Sequence, residues 1–344
     1  MQTDTAAGAP IDLDGAPAIP GLRFRHFAGP QDLPAMFEVH RAHNVVDSPP
    51  QVTSLERFRH SYEHLVNCDP YRDVTIAEVD GRMVAYARVF WDELTDGTRT
   101  YQCYAFVEPA WRRRGLGTVM LARNERLLGA IAAEHGRVRP QWLESGAGDL
   151  AVGTIALLER AGYRPVRHSY EMVLRTLDDV PEVALPEGFE VRPVTRDQYR
   201  SIWEANAEAF RDHWGERTQG EEDWRRFESE PEYADPSLWQ VAWDGDEIAG
   251  VVINTIPAAT NAGEEPRRGY VDSVSVRRRW RRRGLARALL ARSLAAMRRA
   301  GLTSASLGVD TENVTGALRL YESLGFVPKS RFTLYRKPLE ETHA

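Results

Sequence analysis

The chain has 344 residues and a formal net charge of −6, with 42% hydrophobic and 27% charged residues. That length suits two domains of roughly 170 residues, and the composition excludes a disordered, collagen-like or membrane-spanning chain. The acidic balance removes a global footprint for nucleic acid. Two cysteines, Cys68 and Cys103, offer neither a disulfide framework nor a CxxC metal or redox pair.

In chain order, residues 1–20 read as a flexible Ala/Pro/Gly/Asp tail. They lack the basic start and apolar block of a signal peptide, so a cytoplasmic location is expected. From there the sequence repeats itself. Gly21-Leu-Arg-Phe-Arg-His opens one half and Gly188-Phe-Glu-Val-Arg-Pro the other. Val79-Asp-Gly-Arg-Met-Val-Ala is matched by Trp243-Asp-Gly-Asp-Glu-Ile-Ala. Trp111-Arg-Arg-Arg-Gly-Leu-Gly is matched by Trp280-Arg-Arg-Arg-Gly-Leu-Ala, and Leu157-Leu-Glu-Arg-Ala-Gly-Tyr by Leu320-Tyr-Glu-Ser-Leu-Gly-Phe. Four matches in one order imply a duplicated domain, with a period too long for a solenoid. The expected division is 21–176, a Pro/Asp-containing linker at 177–186, and 187–340.

Each copy opens on a short strand (Leu22–Phe24; Phe189–Arg192), followed by helical segments including Asp32–Arg41 and Asp197–Phe210. Asp80-Gly81 and Asp244-Gly245 between β-formers predict hairpins. A strand (Tyr101–Val107; Tyr270–Val276), an Arg/Gly loop and an apolar-periodic helix (Leu116–Glu134; Leu285–Ala300) come next. Strand Ala305–Val309, helix Val314–Leu324 and strand Arg331–Lys337 close the second copy. The fold class is therefore mixed α/β: two tandem units, each with an antiparallel hairpin before a β-loop-α element.

The strand-loop-helix junction carries chemistry. The first N–H groups of a helix lack intrahelical partners, and the dipole favours an anion there. Gly284 and the small Ala286 let a phosphate approach the backbone. No Gly-x-x-x-x-Gly-Lys-Ser/Thr or Gly-x-Gly-x-x-Gly string competes. The arginine run 277–283 read as a nucleic-acid patch fits poorly with an acidic protein and a strand-to-helix junction.

These loops resemble the acyl-CoA loop of the GNAT N-acetyltransferase superfamily: Arg112-Arg113-Arg114-Gly115-Leu116-Gly117 in copy one, Arg281-Arg282-Arg283-Gly284-Leu285-Ala286 in copy two. Asn313 through Tyr321 to Leu-Gly-Phe is similar to the family's second signature. The tandem arrangement resembles mycothiol synthase-like two-domain acetyltransferases. The resemblance implies acetyl-CoA as co-substrate, contacted by Val274, Val276, the loop 281–286, Arg287, Asn313 and Tyr321, with 112–117 as a second cofactor site. It implies direct attack of an amine on the thioester. Tyr321 would be the acid for the leaving thiolate, and a backbone N–H near Val274 the oxyanion donor.

Asp272 is the candidate base, equally readable as an acceptor-binding carboxylate. Tyr270, where many relatives carry glutamate, shares its face by the strand period of two. Copy one has Leu158 in place of Tyr321 and Leu150 in place of Asn313, so chemistry is expected in copy two. Asp212, His213, Trp214, Glu216 and Trp239 are expected to shape the acceptor pocket. The expected partners are acetyl-CoA and a small-molecule amine, without nucleic acid, membrane or metal. The expected assembly is a monomer with an internal pseudo-dimer, or a homodimer. An acyl-CoA sensor without turnover and a protein N-acetyltransferase are the alternatives.

Overall fold

The computed structural model describes residues 7–47, 54–136, 140–257, 267–313 and 315–339. Residues 1–6 of the expected tail, and residue 340, lie outside them. Two compact units emerge. One comprises Met1–Gln51, Phe58–Arg167 and Phe332–Ala344; the other comprises Val52–Arg57 and His168–Arg331.

The first half of the chain forms β1 (Pro10–Ile11), β2 (Leu22–His26), α1 (Leu33–Asp47), α2 (Leu55–Glu63), α3 (Pro70–Asp73), β3 (Val74–Val79) and β4 (Arg82–Glu93). It continues with β5 (Arg99–Val107), α4 (Leu116–His135), β6 (Gln141–Gly148), α5 (Val152–Arg160) and β7 (Arg164–Leu174). The second half forms β8 (Glu190–Arg192), α6 (Tyr199–Phe210), α7 (Glu221–Ser229), β9 (Gln240–Asp244) and β10 (Glu247–Thr255). It ends with β11 (Arg268–Val276), α8 (Leu285–Arg299), β12 (Ser304–Asp310), α9 (Ala317–Glu322) and β13 (Val327–Pro338).

The hairpins form where Asp-Gly allows left-handed backbone. Asp80 and Gly81 both have positive φ, 50° and 79°, the pattern whose twist matches paired strands. In the second copy the two turn residues are Gly245 and Asp246, one position later than expected, because Asp244 pairs with Glu247. Residues 10–13, read as flexible tail, instead pair Pro10 with Arg25 and Ile11 with Phe24, and bury Leu13 beside Phe24. Ile11 and Leu13 have an apolar surface to cover, which outweighs the polar composition around them.

The N-terminal unit's sheet runs β1-β2-β3-β4-β5-β6 and is completed by Phe332–Pro338 of β13, antiparallel to β6. The C-terminal unit's sheet runs β8-β9-β10-β11-β12 and is completed by Ser169–Leu174 of β7, antiparallel to β12. Each sheet thus takes its last strand from the other half of the sequence, which the division at 176 and 187 does not anticipate. Leu177, placed at the start of the linker, is 1% exposed in the C-terminal core. The apolar face of α8 (Leu285, Leu289, Leu290, Leu294, Met297) is buried on that sheet. At about 1.5–3 kcal/mol per large side chain, this packing holds the helix start in place.

Candidate active site

The loop between β11 and α8 has the same backbone as its counterpart between β5 and α4. Arg282 and Arg113 are left-handed, at φ 64° and 61°, and Gly284 and Gly115 follow at 82° and 91°. A non-glycine residue in that region costs roughly 1–2 kcal/mol, so the repeated strain marks a shape both copies preserve. The arginine expected to meet phosphate is occupied. Arg281 donates from Nε to the Val276 carbonyl at 3.0 Å and from Nη2 to the Ala209 carbonyl at 2.7 Å, and pairs with Asp212 at 3.2 Å. Arg112 holds its loop in the same way, through the Val107 carbonyl at 3.3 Å, the His43 carbonyl at 3.3 Å and Asp47 at 2.6 Å. Both guanidiniums fasten the loop to the preceding strand and helix. Arg283 covers Phe189 at 4.5 Å and is exposed, as are Arg282 and Arg287.

Behind each loop the sheet opens. β11 pairs in parallel with β12 only over Arg268–Val271, although both strands continue. Val274 and Val276 therefore line a strand edge that has lost its parallel neighbour. β5 and β6 part in the same way after Gln102 and Glu144. In the N-terminal unit this wedge and its loop enclose a cleft of about 330 Å³, lined by Gly115, Gly117, Thr118, Asn124, Ser145 and Leu158 among others.

The units differ at the fifth residue of the strand. In the β10–β11 ladder Ile253 faces Ser273 and Asn254 faces Val271, so Asp272 is the extra residue of a β-bulge. The corresponding Cys103 pairs in regular register with Val89 and is buried. The bulge breaks the period of two and turns Asp272 into a polar recess. The Thr255 hydroxyl donates to its carboxylate at 2.8 Å. Burial lifts the Asp272 carboxyl to about 7, against the pull of Thr255 and the nearby Arg57, with Glu232 and Glu230 adding to the rise. Arg57 pairs with Glu232 and lies 3.9 Å from Glu230. Sequence reading missed Arg57, Thr255, Glu230 and Glu232. Arg57 sits some two hundred residues from Asp272 in sequence with no motif around it.

Tyr321 is 7% exposed, and burial raises its phenol well above the ordinary range, so it is protonated at neutral pH. Tyr270, pushed up to about 12 chiefly by burial, lies within electrostatic reach of both Asp272 and Tyr321. Asn313 accepts from the Thr315 N–H at 2.7 Å in a local turn. The helix expected from Val314 starts at Ala317 after Gly316, and Val314 itself lies outside the described residues.

The expected acceptor cluster does not assemble as one group. Asp212 is bound to the loop arginines Arg281 and Arg278. Trp239 is 3% exposed in a core with Tyr199, Phe227 and Tyr233, its indole N–H donating to the Asn254 carbonyl. Trp214 is exposed. His213 is held below its usual range by burial and then by Arg281, and packs edge-on against Phe210. Glu216 is raised by burial and accepts from Gln219. Among the described residues there is no cluster of His, Cys, Asp and Glu suited to a metal, and no helix long and apolar enough to cross a membrane.

Comparison with known proteins agrees with this geometry. The family model for the acetyltransferase (GNAT) family matches residues 38–163 and again 199–326. The mycothiol acetyltransferase of Geodermatophilus obscurus is 34% identical over 258 residues, covering 74% of this chain and 79% of that protein. That of Thermobifida fusca is 34% identical, covering 68% and 74%. Among solved structures, a GCN5-related N-acetyltransferase from Sphaerobacter thermophilus superposes with a TM-score of 0.72 at 28% identity, covering 96% of this chain and 98% of that one. A tandem GNAT protein from the clavulanic acid biosynthesis pathway shares the fold, with a TM-score of 0.67 at 15% identity over 93% and 99% of the two chains. With two matches of the family model in one chain, and a loop of the same strained shape in each, the protein belongs to the GNAT acetyltransferase family as a tandem member.

Proposed function

We propose that the C-terminal unit transfers an acetyl group from acetyl-CoA to the primary amine of a small molecule, and that the N-terminal unit does not catalyse. The observation that carries this reading is the bulge at Asp272, together with a buried tyrosine at 321, in one unit only. The N-terminal unit has an unbroken ladder and Leu158 instead.

The residues present suit the co-substrate. The exposed first-turn N–H groups of α8 and the side chains of Arg282, Arg283 and Arg287 can take phosphate oxygens. Ala286, Val274, Val276 and Asn313 are the residues that would hold the arm. Arg281 supports the loop from below. When bound, acetyl-CoA supplies an activated thioester carbonyl.

Asp272 is the base. With its carboxyl near 7 it is half-ionised at neutral pH and can take the proton of an attacking ammonium. The bulge leaves Asp272 out of the ladder with β10, and beyond Val271 the strand has no β12 neighbour, so a backbone N–H near Val274 can stabilise charge developing on the acyl oxygen. Tyr321, protonated because it is buried, donates to the departing sulfur. Asp272, Glu230 and Glu232 beside Arg57 favour a positively charged acceptor. Candidate acceptors are an amino sugar, an aminoglycoside-like antibiotic, a thiol-sugar precursor or an amino-acid derivative. Similarity to mycothiol acetyltransferases favours the thiol-sugar precursor.

Steady-state release of CoA thiol with a panel of such amines tests the reading. Tyr321→Phe is expected to lower kcat about 10²–10³-fold with the Kd for acetyl-CoA unchanged. Unchanged turnover would remove Tyr321 as the acid and with it the assignment to this unit.

A further inference from the structure

Three acidic side chains share the recess behind the bulge with Arg57, which comes from the first half of the sequence. The division into compact units nevertheless places Arg57 with residues 168–331. The Ser54 hydroxyl accepts from the Arg57 backbone N–H at 3.1 Å, capping the first turn of α2 and fixing where this side chain starts. From there Arg57 pairs with Glu232 and lies 3.9 Å from Glu230. A short turn holds both carboxylates. The Tyr233 N–H donates to the Glu230 carbonyl at 2.9 Å, and the Tyr199 hydroxyl donates to the Tyr233 carbonyl at 2.6 Å. The Glu230 and Glu232 side chains are only 9% and 8% exposed, so solvent and salt screen their charges weakly.

Asp272 meets this ion pair. Around its carboxylate stand Thr255 from β10, Arg57 from the start of α2, Glu230, Glu232 and Tyr233 from the turn, and Tyr270 from β11 itself. Both phenols are raised chiefly by burial and are protonated at neutral pH. The charges acting on Asp272 are therefore Arg57 on one side and Glu230 and Glu232 on the other. Burial works against the charge of Arg57, and Glu232, Glu230 and Asp272 hold it above its usual range. A buried ion pair adds little stability by itself, because desolvation offsets most of the attraction. The position of this one fits a different use. Carboxylates that share a recess resist ionising together, whereas a base must ionise near neutral pH. A cation among them is what lets Asp272 release its proton there.

We propose that Arg57 is a positioning residue for acetyl transfer: clamped on Glu232 and Glu230, it sets the charge that Asp272 meets, so the first half of the sequence completes the base of the second. The inference rests on the reading that Asp272 is the base. It gives the two partners of one ion pair opposite effects. Removing Arg57 takes away an attraction and leaves Glu230 and Glu232 without that cation, and both changes make Asp272 harder to ionise. Removing the charge of Glu232 takes away a repulsion and releases Arg57 toward Asp272, and both changes make it easier. A pair that served only to hold the fold would be lost equally in either variant.

The test follows the Asp272 carboxyl carbon by NMR in the full chain labelled with carbon-13 aspartate, its resonance assigned by its absence from Asp272→Asn. In wild type the titration midpoint is expected near 7. Arg57→Gln should raise it by roughly one pH unit, and Glu232→Gln should lower it by about half a pH unit. The kcat/KM for CoA release with the best amine of the panel should follow. A midpoint raised by one pH unit leaves Arg57→Gln about fivefold slower than wild type at pH 7 and nearly equal to it at pH 9. Glu232→Gln keeps Arg57 beside Glu230, so the direction of its shift alone decides if Arg57→Gln does not fold. A midpoint that neither substitution moves, or that both move in the same direction, overturns the proposal. Midpoints that move as expected with rates that do not follow would instead remove Asp272 as the base, and with it the reading on which the inference rests.

Discussion

Asp272 has a stability signature that follows from its position. In the unfolded chain its carboxyl titrates near 3.8, and in the native protein near 7. Between those values the native state holds a proton that the unfolded chain has released. Raising the pH through that window therefore destabilises the fold, and above about 7 the loss is complete. Three units at about 1.36 kcal/mol each set a ceiling of about 4 kcal/mol on the cost of ionising this group in its recess. Asp272→Asn keeps an oxygen for the Thr255 hydroxyl and never ionises. Relative to wild type it should be stabilising by about 1 kcal/mol at pH 4.5, already inside that window, and by up to that ceiling at pH 8. For a unit of this size each kcal/mol moves Tm by about 2–4 °C. Calorimetric melting of both proteins at the two pH values measures the difference, read on the transition of the C-terminal unit. The same variant should lose 10²-fold or more in turnover, and the wild-type kcat/KM should rise with pH through about 7. A stability difference independent of pH, or one favouring wild type at pH 8, would refute the assignment of a carboxyl whose ionisation is costly in its recess.

Other consequences are equally direct. Arg281→Ala removes the fastening between the loop, Val276 and Ala209; equilibrium titration should show acetyl-CoA binding weakened about tenfold, with the loop more susceptible to proteolysis. Gly269→Ala would bring a Cβ within 2.7 Å of the Met297 sulfur and 3.0 Å of Leu302 Cδ1; denaturant unfolding should show a loss of about 1–3 kcal/mol from overpacking. Stopping the chain after Arg331 removes the strand that pairs with β6 from Trp142 to Gly148, along with the Arg336–Glu144 and Lys337–Glu125 ion pairs. The N-terminal unit should then lose its cooperative melting transition while residues 168–331 keep theirs.

Much of the fold was legible because its punctuation is local. The Asp-Gly turns and the Arg-Arg-Gly-Leu loops each carry their geometry in two to six residues, and those residues recur. A strand's partner is a different kind of information. Residues 164–174 and 331–337 occupy the same place in the two repeats, and nothing in either says which β-sheet it completes. Both options satisfy the same alternation, so the exchange is decided by the packing of side chains such as Met172, Leu174 and Tyr335 into one core or the other.

The active residues divide along the same line. Tyr321 and its loss in copy one were visible as Tyr against Leu at matched positions. The bulge was not, because one inserted residue is hidden in the drift between repeats: the hairpins are offset by 164 and the loops by 169. The period of two placed Tyr270 and Asp272 on one face, and at a bulge that rule stops holding. The failure of the alternation at Asp272 is itself informative. A regular strand would direct this position as it directs Cys103, into the apolar core, where an ionisable carboxylate is costly. The extra residue is what lets an acid on this strand reach Thr255 and the charges around Arg57. Asp272 and the bulge therefore make sense only together, and the N-terminal copy, which has neither, retains the loop without the chemistry.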